Sequence, residues 1–219
     1  MSHNNNQIIK KIVIIFLIFL LFSRNSFAQQ ETMLEIQKAD RLIGSSGFQR
    51  LLGNAVMRHQ NSLIYCDSAY FYEQENLAKL FGNVRIVDQK DPVVTTSRYA
   101  EYDGNTRIAK LRNKVVFKNE STTLYTEFLD YNRETGIANY FNDGKVVDTT
   151  NVLTSTNGIY ETTIEKITFT ENVILVNPDY TLKTQDLIYM TVPKTALTPG
   201  LTNIVSKEGY HLDAQKGSF

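Results

Sequence analysis

From about residue 34 onward, apolar and polar positions alternate with a period of two, in short runs broken by polar, Gly- or Asn-containing punctuation. Alternation of this kind places successive side chains on opposite faces of a β-strand. The clearest runs carry Ala55 and Met57, Val84 and Ile86, Val115 and Phe117, Gly144 and Val146, and Val173 and Leu175 at one parity. The other parity is mixed and includes Val56, Arg85, Val116, Lys145 and Ile174. One face of each predicted strand is therefore apolar and the other is not. Polar corners follow at His59, Asp88, Asn119, Asp148 and Asn177. Outside the first 28 residues no segment sustains a helical period, so the pattern predicts an all-β chain.

The runs recur. Tyr72, Tyr102, Tyr131, Tyr160 and Tyr189 lie 30, 29, 29 and 29 residues apart. A period near 29 marks one supersecondary unit, copied and stacked, with a core running along the stack. Seven residues before each tyrosine stand Tyr65, Thr95, Leu124, Leu153 and Leu182. Five before stand Asp67, Ser97, Thr126, Ser155 and Thr184, and two before stand Tyr70, Ala100, Leu129, Gly158 and Leu187. Stacking equivalent strands of successive units at about 4.8 Å predicts a body roughly 24 Å long for five units. Residues 34–43 read as half a unit, and Leu201–Val205 as the start of a sixth that nothing after Tyr210 completes. A stack needs its inward columns as core whatever it does, so packing is the first role of every residue in them.

The first 28 residues stand apart. Lys10 and Lys11 precede an apolar run of 11, Ile12–Phe22, and small residues Ser26 and Ala28 follow. A charged start, a short apolar stretch and small residues before a cut describe a secretory signal peptide over 1–28. Eleven residues are too few to span a bilayer, which needs about 20. Removing Lys10, Lys11 and Arg24 leaves 20 basic against 23 acidic residues, a balance that argues against nucleic acid as a partner. Cys66 is the only cysteine, so no internal disulfide holds this exported chain. Chemistry is sparse. His59 reads as a solvated corner residue, His211 lies outside the repeat, and no zinc-type cluster, nucleophile elbow or phosphate loop is present. Paired carboxylates of the kind used in glycoside hydrolysis do not stand out. The sequence predicts no enzyme activity, no cofactor and no metal.

The string Leu51-Leu-Gly-Asn-Ala-Val-Met-Arg-His-Gln60, then Leu63-Ile-Tyr-Cys-Asp-Ser-Ala-Tyr-Phe-Tyr72, then Phe81-Gly-Asn-Val84 resembles the amino-terminal OstA-like domain of Bacteroidota proteins. Tyr102-Asp-Gly-Asn105, Ile108-Ala109 and Tyr140-Phe141 fit the same pattern, and the resemblance spans about residues 36–205. That domain is related to the periplasmic lipopolysaccharide-transport protein LptA and to the periplasmic parts of LptC and LptD. The resemblance implies a stacked-rung β-jellyroll (a "β-taco") of antiparallel strands, open and V-shaped, with acyl chains held on its apolar inner face. It implies a domain over 29–205, with 206–219 as a tail or truncated rung. The inner-face positions are then Val84, Ile86, Val115, Phe117, Val146, Val173 and Leu175, with Leu124, Leu153 and Leu182 opposite them. The implied role is periplasmic binding of lipopolysaccharide and its passage from inner to outer membrane. The implied partners are LptC-like and LptD-like jellyrolls, joined edge strand to edge strand, or further copies of this chain joined head to tail.

The residues alone also fit a structural or adhesive exported β-solenoid without lipid cargo, because apolar ladders serve both. The cross-section separates the two: a groove open along one seam suits lipid, and a sealed core suits structure.

Overall fold

The computed structural model describes residues 33–89 and 93–218; the signal peptide expected over 1–28 lies outside them. Among the described residues there is no helix, and every strand pairs antiparallel within one sheet. The strands are β1 (Glu35–Lys38), β2 (Arg41–Ser45), β3 (Phe48–His59), β4 (Ser62–Tyr72), β5 (Leu77–Asp88), β6 (Val94–Asp103), β7 (Ile108–Lys118), β8 (Thr123–Asn132), β9 (Ile137–Tyr140), β10 (Gly144–Val147), β11 (Val152–Ser155), β12 (Asn157–Glu161), β13 (Lys166–Val176), β14 (Tyr180–Met190), β15 (Thr195–Thr198), β16 (Thr202–Ser206), β17 (His211–Ala214) and β18 (Gly217–Ser218). Unbroken strands pair with the strands before and after them, and where a strand is split both halves pair with the same neighbour, as β1 and β2 do with β3 and β9 and β10 with β8, so the chain is a long meander. The all-β jellyroll of antiparallel strands predicted from the sequence is the fold found.

Most strands are bent in the middle. The register slips between Leu52 and Ala55, Tyr65 and Ser68, Phe81 and Val84, Thr96 and Tyr99, Arg112 and Val115, and Thr170 and Val173. At these hinges the backbone turns left-handed, at Gly53 and Asn54, Gly82 and Asn83, Asn113 and Lys114, and Glu171 and Asn172. Gly and Asn tolerate that conformation best. The punctuation in the sequence is thus a bulge inside one strand rather than a break between two. Aspartates stitch the hinge: Asn83 donates to Asp67 at 2.9 Å and Asn54 to Asp40 at 2.8 Å. From β9 to β12 the bend opens fully, and one strand becomes β9 plus β10, the next β11 plus β12.

The hinge divides the sheet into two walls. Wall A runs from the hinge to the corners at His59, Asp88, Asn119, Asp148 and Asn177. Wall B runs from the hinge to tight turns with left-handed residues at Asn76, Arg107, Gly136, Glu165 and Lys194. Successive turns on wall B are joined by backbone bonds, such as Gly104 N to Asn76 O at 2.8 Å and Thr162 N to Gly136 O at 2.9 Å.

Three expectations are corrected by the registers. Equivalent strands of successive units are not neighbours, because an antiparallel strand lies between them; Tyr102 and Tyr131 both pair with Ala109. Each unit therefore advances the stack by about 9.6 Å, twice the strand spacing. The residue that shares the row of Tyr102, Tyr131, Tyr160 and Tyr189 is Phe71, which pairs with Ala78, and not Tyr72, which is half-buried on the outer face. The cause is the corner closed by Asp88 N and Val93 O, which is two residues longer than those closed at Asn119 and Thr122 or Asp148 and Asn151. Moving the first unit by one residue puts Ile64, Cys66 and Ala69 in the columns read as Tyr65, Asp67 and Tyr70. Finally, the chain after Tyr210 adds β17 on β16 and β18 on β15, one more broken strand of the sheet.

Candidate functional site

The inner surface consists of four rows, two on each wall. The long row of wall A runs strand to strand through Met57, Ile64, Ile86, Thr95, Phe117, Leu124, Val146, Leu153, Leu175, Leu182 and Ile204. Nearer the hinge a second row mixes aliphatic and short polar residues: Val84 pairs with Ser97, Val115 with Thr126, Gly144 with Ser155, and Val173 with Thr184. The ten positions predicted as the inner face all lie in these two rows and are between 0 and 3 % exposed. Leu124, Leu153 and Leu182 are not opposite the others. They alternate with Phe117, Val146 and Leu175 along the same row, because antiparallel neighbours bring both parities of strand to one wall.

The opposing wall was missed at the sequence level. One row holds Leu51, Ala69, Leu80, Ala100, Leu111, Leu129, Tyr140, Gly158, Phe169 and Leu187. The other alternates ring and small residue: Phe71, Ala78, Tyr102, Ala109, Tyr131, Ala138, Tyr160, then Ile167, Tyr189 and Ala196. The signal for it was present in the residues two before each tyrosine and in the repeated Ile-Ala re-entries. All of these side chains are buried.

Tyr140 replaces the leucine found at Leu80, Leu111 and Leu129, and the two flanking glycines make room for it. A Cβ at Gly144 or Gly158 would overlap the Tyr140 ring. The ring crosses from wall B to the hinge row, where its hydroxyl meets Ser155 Oγ at 2.5 Å. Burial, partly offset by that hydrogen bond, pushes the Tyr140 pKa up to about 12.

The two walls also meet at their free ends. Ten residues of strand reach roughly 33 Å, so the two tips of a straight strand would be far apart. Here side chains from opposite tips touch, which requires the sheet to fold back on itself and close. His59 Nδ1 pairs with the Tyr102 hydroxyl at 2.7 Å. Asn119 bonds the Tyr160 hydroxyl, the Tyr189 hydroxyl donates to Asp148, and Asn151 Nδ2 donates to Tyr189 at 2.9 Å. Arg133 forms a salt bridge with Asp88, Lys194 donates to Thr149, and Leu34 N donates to Asn76 Oδ1 at 2.8 Å. These cross-seam pairs are separated by 38 to 45 residues in sequence. Phe117 packs beneath them, edge-on to Tyr131 at 5.1 Å and to Tyr160 at 5.9 Å. The open V implied by resemblance is thus replaced by a seam closed rung after rung.

The electrostatics follow from this closure. Burial raises the Tyr102 pKa, against the opposing pull of Arg133. Burial alone would raise Asp148, but hydrogen bonds from Tyr189, from the Thr150 and Asn151 backbones and from the Asn151 side chain hold it below the usual carboxylate range. Burial, followed by the Asp148 contact, raises Tyr189. His59, read from sequence as a solvated corner residue, is 1 % exposed and part of the seam, because the facing wall covers it. Cys66 is buried in the hinge row, where Ser97, Thr126, Ser155 and Thr184 stand in other rungs, and burial pushes its thiol up to about 11. Among the described residues no group of three or more His, Cys, Asp or Glu is placed to hold a metal ion. A groove of about 670 Å³ lies outside the core, on the outer side of the hinge around Tyr125, Lys145 and Asn142.

The sequence pattern of the OstA-like protein family matches residues 31–185. The chain belongs to the OstA-like protein family. Among solved structures, OstA-like residues here are similar to LptH, the LptA-homologous periplasmic component of the lipopolysaccharide transport device of Pseudomonas aeruginosa. The similarity has 14 % identity and a TM-score of 0.46, and covers 49 % of this chain and 82 % of LptH. No curated protein matches the OstA-like chain.

Proposed function

We propose that this OstA-like protein works in the periplasm, where it binds lipopolysaccharide by the lipid A acyl chains between its two walls and passes it from inner to outer membrane. The observation that carries the reading is the long row of wall A, an uninterrupted apolar track from Met57 to Ile204 with one threonine in it. A track of this kind suits an extended hydrocarbon chain, and each methylene removed from water contributes about 0.8 kcal/mol. The track surfaces at the carboxyl end: Leu212 continues the row beyond Ile204 and is 56 % exposed, with Leu201 and Tyr210 exposed beside it. An unpaired edge strand next to exposed apolar residues is a template for another chain. We assign that end to the next jellyroll of a bridge, LptC-like, LptD-like or a further copy.

One observation favours the structural alternative. The side chains of the inner rows are buried in one apolar cluster, so an acyl chain enters only when the walls part. Photoactivatable residues at Ile86, Phe117 and Leu175 decide between the two. Lipid carriage predicts cross-links to lipopolysaccharide from these three and none from outward Arg85. Equal, background-level capture at all four positions overturns it in favour of a sealed solenoid.

A further inference from the structure

The seam is held by a different chemistry from the rest of the core. Walls A and B are each continuous hydrogen-bonded ladders, and the hinge is stitched by backbone and Asp–Asn bonds. Across the seam the described bonds each use at least one side chain, with Leu34 N to Asn76 Oδ1 the one that involves a backbone group. Tyr102, Tyr160 and Tyr189 reach from wall B to polar residues at the corners of wall A, supported by Arg133 and Lys194. Breaking these bonds removes the polar closure of the seam without breaking any strand pairing, and leaves the apolar contact between the walls, such as Phe117 against Tyr131 and Tyr160, to be parted. Each broken group lies at the molecular edge, where water replaces its partner, so the net cost per bond is small. The hinge on the far side is already bulged, and around β9 to β12 it is fully broken, so it can flex.

We infer that the tyrosine row is a latch: the walls part along the seam, with the tyrosine hydroxyls as the breakable bonds, and this seam is the lateral entrance to the apolar interior. The inference rests on the lipid reading for the identity of what enters, though not for the opening itself. The alternating alanines fit this role. Ala78, Ala109 and Ala138, buried between the rings, leave each ring space to lie across the tips. Phe71 occupies the first place in the row without a hydroxyl, and there the backbone of Leu34, just before β1, closes the seam through Asn76 instead.

Cys66 supplies a reporter inside the core. In native buffer its labelling by a maleimide measures how often the interior opens, and amide hydrogen exchange of β4 to β8 measures how often the ladders themselves open. The latch predicts that wild-type Cys66 labels faster than the ladder amides exchange. In Tyr102→Phe/Tyr160→Phe/Tyr189→Phe labelling accelerates by roughly tenfold to a hundredfold, as loss of several weak hydrogen bonds allows, with ladder protection little changed. Labelling that tracks ladder exchange in both proteins overturns the latch, because the interior then opens only by unfolding. If the triple variant does not fold, Thr149→Cys/Lys194→Cys in a Cys66→Ser background, bridged by a short bis-maleimide, retains every tyrosine. The bridged protein is expected to lose uptake of purified rough lipopolysaccharide and of a pyrene-labelled fatty acid, while the unbridged one keeps it. Uptake undiminished by the bridge also overturns the latch. The outcomes separate the two claims. Accelerated labelling with no uptake of either probe by any form leaves the latch standing and removes the lipid reading. Uptake by the wild type, unaltered by variant or bridge, does the reverse.

Discussion

The long row of wall A and the tyrosine row of wall B face one another, yet they are built on opposite rules. Wall A places large apolar residues side by side, Phe117 against Leu124, Val146 against Leu153, Leu175 against Leu182, with no polar atom along the long row except at Thr95. Wall B sets a ring against an alanine and gives most rings a hydroxyl directed at the opposite tip. The first arrangement maximises dry contact along the stack. The second trades contact for reach, so that a few side chains close a gap that no backbone pairing closes. One wall is suited to staying together and the other to letting go. The hydrophobic effect holds along each row and between the facing walls, and at the tips side-chain hydrogen bonds close the seam.

Substitutions break this contrast by different amounts. The largest loss falls on wall A: Phe117→Ala removes a ring packed beneath the seam and costs about 3–5 kcal/mol in urea unfolding. Next comes the point where the walls interlock. Gly158→Ala drives a methyl group into the Tyr140 ring and costs about 1–3 kcal/mol. Tyr140→Leu in that background is expected to recover most of it, since leucine fills the same row at Leu111 and Leu129. A double-mutant cycle with no coupling between positions 140 and 158 would contradict the plugged hinge. A smaller effect belongs to wall B, where Tyr189→Phe costs about 0.5–1.5 kcal/mol, with its ring tolerated as Phe71 is in the same row.

Much of this was legible in the sequence, and the parts that were not have physical causes. The ten positions predicted as inner face all lie inward on wall A because a pleated strand must alternate, while others in the same rows, such as Ile64 and Ile204, were not among them. Their arrangement was not legible. Placing Leu124 opposite Phe117 rather than beside it followed from stacking like strands on like strands, and sequence spacing is the same whether or not an antiparallel strand intervenes. The shift from Tyr72 to Phe71 was hidden by the longer corner after Asp88, since two adjacent aromatic residues offered the ruler a near-perfect wrong mark. The seam was invisible for another reason. Its pairs lie 38 to 45 residues apart, longer than the repeat itself, so each looks like an ordinary polar corner within its own unit. His59 was misread for that cause alone.

The smallest expected effect is one of pH. Below about 9 the Cys66 thiol is protonated both folded and unfolded and contributes no dependence. Between about 9 and 11 the unfolded thiol loses its proton while the folded one keeps it. Folding stability therefore falls as pH rises through that window, and Cys66→Ser is expected to remove this part of the slope. Asp148 acts with the opposite sign. Its pKa is depressed in the folded protein, so its contribution is present above the ordinary carboxylate range and lost as pH falls through the folded value. Asp148→Asn is expected to flatten the acid limb of the stability curve.

The central claim is that lipid enters by parting the walls at the seam. Spin labels at Thr149→Cys and Lys194→Cys, in a Cys66→Ser background, sit on opposite tips of the sheet and report the seam width directly. The account predicts that adding rough lipopolysaccharide shifts their distance distribution to longer values, and that a second pair on one wall, at Lys145→Cys and Lys118→Cys, stays unchanged. Lipopolysaccharide that co-elutes with the protein while the seam distance remains as in the free protein would contradict it.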